Sequence, residues 1–245
     1  MSRSVVLAGT VRCDGCRLPP RWCVCGALPR VRVPLRVEVL LHAREQGRPT
    51  STGQLIGRAV EGARLHVPPR GAVPDRQAVA DPGRALWILH PRGTLLEPGP
   101  GNAADLARLQ VLLLDGSWTE ASDLLKQVEP WGRCVRLPLA GESRYWLRSQ
   151  AGPDRHSTVE ALRALLDRLG LAEAARQLQG HFELQVYAAL RSRGRKREAE
   201  AYLATSPIRE LVPEFLARLQ ERRPDVSSLP KRAAVSGIPP GPAVR

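Results

Sequence analysis

The stretch QVLLLDGSWTEA, residues 110–121, changes character within a few positions. Val111–Leu114 is a continuous apolar run, as found in strands buried on both faces. Asp115 and Gly116 stop it. Ser117 and Glu120 then form an S-x-x-E pattern, the mark of a helix start whose side chains satisfy free backbone N–H groups. A strand that ends in an acid and turns into a helix belongs at the carboxyl edge of an α/β sheet, where such folds bind ligands. Asp115 can cap the turn or act in chemistry, and Trp118 can fill core or stack on a base.

Similar units lie on either side. PLRVEVLLH (34–42) alternates as a strand with Val37, Val39 and Leu41 on one face, and ALWILH and CVRLPL read as further strands. STGQLIGRAVEGA has a cap at Ser51 or Thr52, with Leu55, Ile56 and Ala59 facing inward. HSTVEALRALLDRLG is the clearest helix: Leu162, Leu165, Leu166 and Leu169 share a face, and Gly170 stands at the C-terminal stop. Residues 171–194 continue as a helix, with Ala175, Leu178, Phe182, Val186 and Ala189 in one stripe. Alternating strands and helices predict an α/β core with a mostly parallel sheet. The organisation expected is a cysteine knuckle at 1–30, a catalytic domain at 31–221 and a disordered Pro/Gly-rich tail at 222–245.

The chain has 245 residues and a formal charge of +13, carried almost wholly by arginine. A positive field of this size suits a polyanion such as nucleic acid, although an arginine-rich composition alone produces the same charge. The segment RSRGRKR (191–197) concentrates Arg191, Arg193, Arg195, Lys196 and Arg197, read either as a solvated helix end or as an RNA phosphate patch. No apolar run reaches the roughly 20 residues that span a bilayer, and no secretory leader is evident. The expectation is a soluble cytoplasmic protein with no membrane association and no stable protein partner.

Cys13, Cys16, Cys23 and Cys25 are spaced C-x2-C-x6-C-x-C. Two close thiol pairs can complete a tetrahedron around zinc; an iron–sulfur cluster or disulfides are the alternatives. Four sulfurs leave no open coordination position, so the metal expected is structural. Cys134, alone in a strand, reads as core. A second S-x-x-E pattern, Ser157 to Glu160, opens the clearest helix, where capping and anion binding are compatible.

Five stretches, in order, carry a resemblance: the cysteine set, LLHAREQGRPTSTGQL (40–55), LLLDGSWTEA (112–121), SRYWLRSQAGPDRHSTVEA (143–161) and LQVYAALRSRGRK (184–196). Together they resemble the DTW-domain family, which includes the tRNA-uridine aminocarboxypropyltransferases. The resemblance implies a SPOUT-like, knotted α/β fold and transfer of the 3-amino-3-carboxypropyl group of S-adenosylmethionine to uridine N3 in tRNA, releasing methylthioadenosine. A SPOUT-like RNA methyltransferase and a noncatalytic zinc-containing RNA-binding protein are the competing readings.

That reaction needs a group at the N3 proton and partners for the amino-acid end of the donor. Asp115 is the candidate base or orienting group, with Ser117 and Trp118 completing the catalytic set. Arg48, Thr52, Arg148, Ser157, Thr158 and Glu160, with Asp115, are the candidate donor-binding residues. The chain departs from the family pattern at Ser117, which replaces Thr, and at Glu120, Ala43 and Trp146. The Ser117 hydroxyl survives, but the stiffening methyl is lost.

Overall fold

Every residue of strand β4 (Leu109–Asp115) is buried, so this strand requires protein on both faces and both edges. It has them in the computed structural model, which describes residues 11–97, 102–139, 141–148 and 155–221. β4 lies at the centre of a five-stranded sheet with β1 (Arg36–Leu41), β2 (Arg64–His66), β3 (Ala85–Leu95) and β5 (Arg133–Arg136), in the order β2-β1-β4-β3-β5. All pairings are parallel, which sets the strand C-termini along one edge. The expected α/β class with a parallel sheet is the one observed.

Alternation along the strands separates two apolar layers. Val37, Val39, Val111 and Leu113 face a core built with helices α1 (Thr52–Ala59), α5 (Thr158–Arg168) and α6 (Ala172–Ser192). Leu40, Ile88, Leu112 and Leu114 face the short α2 (Arg76–Val79) and α4 (Trp118–Val128), which supply Val79, Leu124, Leu125 and Val128. A short α3 (Ala103–Ala107) leads into β4. The five-residue stripe expected on α6 is buried throughout. Gly170, at φ 77°, closes α5 in the left-handed conformation that glycine tolerates.

Three elements differ from the sequence expectation. β1 is buried on both faces, not one: Leu40 packs on the α4 side, and the fully buried Glu38 is held by Arg36, Arg64 and His66 at 2.6–2.8 Å. β3 runs on to Leu95 because residues 90–93 bulge outward, leaving Leu89 and Thr94 both opposite Val135. Gly93 permits this, since a Cβ there would lie 2.5 Å from the Val135 nitrogen. β5 stops at Arg136, ahead of Pro138, instead of reaching Leu139.

Beyond α6 the chain forms α7 (Lys196–Ala204), α8 (Ile208–Leu211) and α9 (Pro213–Gln220), a region to which the periodicity assigned no element. Ala199, Tyr202, Leu203, Ile208, Leu216 and Leu219 join the larger core. The expected tail, 222–245, and the first ten residues of the knuckle lie outside the described residues. Among the described residues no helix is long and apolar enough to cross a membrane.

Leu113, 1% exposed on β4, anchors the larger core. Leu113→Ala should cost about 2–5 kcal/mol, read as a lower urea midpoint at unchanged slope.

Candidate functional site

The C-terminal ends of β3, β4 and β5 open into a cavity of about 540 Å³. Asp115, 3% exposed, forms part of its lining. Three helix N-termini converge there: Ser51 caps α1, Ser117 caps α4 and Ser157 precedes α5. The Asp115 carboxylate receives the hydroxyls of Ser51 at 2.9 Å, Thr52 at 3.1 Å and Thr158 at 2.5 Å, and the Gly53 N–H. Burial nevertheless raises its pKa above the usual carboxylate range, against the opposing pull of the Thr158 and Ser51 hydroxyls. Gly53 makes the approach possible, because a Cβ there would sit 2.8 Å from Asp115 Cβ, Cγ and Oδ2.

A second acid, Glu45, is 1% exposed and lies on the same wall. Arg148 grips both its oxygens, at 3.1 and 2.5 Å, and also reaches the Thr50 hydroxyl at 2.9 Å. Arg48 adds a third contact to Glu45 at 2.8 Å. Tyr145 ties the wall together by donating to the Thr50 carbonyl. Sequence reasoning missed Glu45 and Tyr145, although both fall within quoted motifs. A glutamate flanked by arginines reads as a solvated face until the fold buries it.

Ser117 and Glu120 form the expected reciprocal cap, at 2.8 and 3.3 Å. Glu120 also meets His42 and Arg44. Trp118, half-buried on the cavity wall, lies under the Arg155 guanidinium at 5.1 Å. Of the sequence-predicted site residues, Thr52, Asp115, Ser117, Trp118, Arg148, Ser157 and Thr158 line the cavity together. Arg48 and Glu160 do not. Glu160 receives the Ser143 hydroxyl, the Arg144 N–H and the Ser157 N–H and hydroxyl, fastening the 143–148 segment to α5. His90 and His156 also line the cavity, and nothing in the sequence had marked them.

The four N-terminal cysteines are brought together, with all their sulfurs within 4.8 Å of one another, a set able to hold a metal ion. The Cys16 N–H, outweighing burial, draws the Cys13 thiol down to about 6, whereas burial with Cys16 alongside pushes Cys25 up to about 12. A bound cation would hold all four as thiolates, since metal binding deprotonates thiols. Cys16, Leu18 and Val24 belong to the larger core, so the knuckle packs on the sheet domain. Gln185 of α6 donates to the Cys16 and Pro49 carbonyls, both at 3.2 Å, and so spans the knuckle and the loop ahead of α1.

The family model of the DTW domain matches residues 10–190, from the cysteine knuckle through most of α6. The chain belongs to the DTW-domain family. No solved structure matches it.

Just beyond the matched residues, the basic run 191–197 is not one open patch. Arg191 pairs with Glu200 at 2.6 Å, Arg195 pairs with Glu198, and Arg193 turns inward to the Leu147 carbonyl. Lys196 and Arg197, in the first turn of α7, remain exposed. Cys134 is half-buried against the α4-side core, as expected of a packing residue.

An exposed helical Gly→Ala change ordinarily gains up to about 1 kcal/mol. Gly53→Ala should reverse that sign by pushing α1 off Asp115, lowering the denaturation midpoint; a gain in stability would contradict the contact described.

Proposed function

We propose that this DTW domain transfers the 3-amino-3-carboxypropyl group of S-adenosylmethionine to N3 of a uridine in tRNA, releasing methylthioadenosine. Family membership supports a tRNA-modifying role. The observation that carries the finer reading is the placement of Asp115, with two threonine hydroxyls on it, in a cavity large enough for a small molecule. The placement of β4 between β1 and β3 in a parallel sheet is compatible with a SPOUT-like knotted core, which is part of the same reading.

S-adenosylmethionine brings a carbon already bonded to a good leaving group, so the protein's task is positioning and proton removal. Thr52 and Thr158 spend their hydroxyl protons on Asp115, leaving oxygen lone pairs for N–H donors of the ligands. Arg148 is neutralised by Glu45, so the first-turn N–H groups of α5 are the better partner for the donor carboxylate. Asp115 has four donors of its own and no lone pair to spare for N3–H directly. It takes the N3 proton through the Thr158 hydroxyl, and its raised pKa favours that destination. Trp118 offers a face for the acceptor base. The exposed Lys196 and Arg197, with Arg155 over the Trp118 ring, contact tRNA phosphates in this reading.

The cysteine site holds zinc in this reading: four sulfurs in a closed set, with no position left for chemistry. Cys13→Ser should lose the metal and melt several degrees lower. If a metal-stripped wild-type protein kept the melting temperature of the loaded one, structural zinc would be excluded.

Incubation with S-adenosylmethionine and unmodified tRNA, followed by nucleoside mass spectrometry, tests the reaction. An aminocarboxypropyl mass on uridine is expected, reduced about 10²–10⁴-fold in Asp115→Asn with donor affinity retained. A methyl mass would instead identify a methyltransferase. No gain on any tRNA, with RNA binding intact, would leave a noncatalytic RNA-binding protein.

A further inference from the structure

Arginines of the cysteine knuckle and of the turn between α6 and α7 gather in one region. Within the knuckle, Arg12 donates to the Arg17 carbonyl at 3.1 Å. In the turn, Arg193 reaches the Leu147 carbonyl at 3.4 Å and Arg195 the Trp146 carbonyl at 3.2 Å, which docks the turn on the 143–148 segment. Tyr145 and Arg148 of that segment line the cavity. Burial lowers the Arg193 pKa; Tyr145 opposes the shift, while Arg195, Arg12 and Arg148 add to it, so the knuckle's Arg12 stands near the turn. A narrow crevice lined by Arg17 and Arg48 separates the knuckle from the loop that carries Thr50 and Thr52 to the cavity.

Several of these cations have an internal partner. Arg48 and Arg148 hold Glu45, Arg195 pairs with Glu198, and Arg58 stands by Cys25, where its charge favours the thiolate. Arg12 and Arg193 bond only backbone carbonyls and pair with no carboxylate among the described residues. Arg17 has only Asp14, at 3.5 Å with the acid fully exposed, a contact that contributes little. Arg17 also holds φ 59°, the one left-handed non-glycine residue among the described residues. Glycine would fit that turn with less strain, so the backbone supplies no reason for an arginine there. Like charges gathered without acids repel one another, and a polyanion laid across them relieves the repulsion.

We propose that Arg12 and Arg17 of the cysteine knuckle, with Arg193 and the adjoining Lys196 and Arg197, form one surface that grips the phosphate backbone of the RNA substrate. The proposal rests on the tRNA reading of the substrate and deepens it by naming where the backbone lies. The knuckle is then an RNA-binding element as well as a metal site. Its surface adjoins the segment that brings Tyr145 and Arg148 to the cavity, so phosphates held there lie beside the place where the base is bound. Guanidinium forks match phosphate oxygens two at a time. Such contacts set the position of the RNA and leave the choice of base to the cavity.

The test measures binding of an unmodified tRNA transcript to the full-length, metal-loaded protein between about 50 and 200 mM salt. Arg12→Gln and Arg17→Gly should each reduce the slope of log Kd against log salt by about one, and together raise Kd about tenfold or more. In the transfer assay the double variant should raise KM for tRNA and keep kcat. Metal content and melting temperature should hold, because glycine accepts the left-handed turn and Arg12→Gln leaves the turn untouched. Arg176→Gln removes one charge about 25 Å away along α6, where Arg176 pairs with Glu173, and should leave the slope alone. Wild-type slope and affinity in both knuckle variants, or losses no larger than in Arg176→Gln, would overturn the surface. So would weaker binding that appears only with loss of metal, which would make these arginines counter-charge to the thiolates. Loss of binding to phosphatidylglycerol vesicles with tRNA affinity intact would overturn it in favour of a membrane. If wild type binds tRNA through these arginines and transfers nothing, the surface stands and the transfer reading fails; transfer with a normal KM in the double variant gives the reverse.

Discussion

A carboxylate at the end of a wholly buried strand has to be compensated locally, and in this protein that requirement organises one edge of the sheet. Asp115 follows four apolar residues of β4 and is withdrawn from water. Its desolvation is offset by donors from the first turns of α1 and α5, brought in by Ser51, Thr52, Gly53 and Thr158. The two helices are thereby pinned to the same point, and the cavity is the space left between them, α4 and the ends of β3 and β5. Polar satisfaction and site construction are one event.

The arginine content has a related explanation. Arg36 and Arg64 hold the buried Glu38, Arg144 holds the buried Glu183, and Arg148 with Arg48 holds the buried Glu45. Guanidinium forks suit this task because they bind both carboxylate oxygens at once. These five arginines are therefore counter-charge to buried acids, and the net charge of +13 is carried by the others. Removing either member of such a pair leaves the other uncompensated in the core.

What the sequence made legible follows from what pattern can encode. The apolar run before Asp115, the Ser117–Glu120 cap and the leucine face of α5 are local periodicities, and each appears where expected. The cysteine spacing is also local and brings its sulfurs together. Glu38 and Glu45 were not legible, because their burial depends on arginines and a histidine distant in sequence. The basic run 191–197 looked continuous only in one dimension; the helical turn and the return of α7 send its members to different partners.

Gln185 gives the molecule a mechanical property. One amide nitrogen ties a carbonyl of the cysteine loop to a carbonyl two residues before Ser51, while its oxygen is held by Arg58 of α1. The knuckle and the helix that feeds hydroxyls to Asp115 are thus fastened to one rivet on α6. Slack in the cysteine loop is delivered to the cavity wall as slack in α1, so the order of a site built on oxygen donors depends on the order of one built on sulfur.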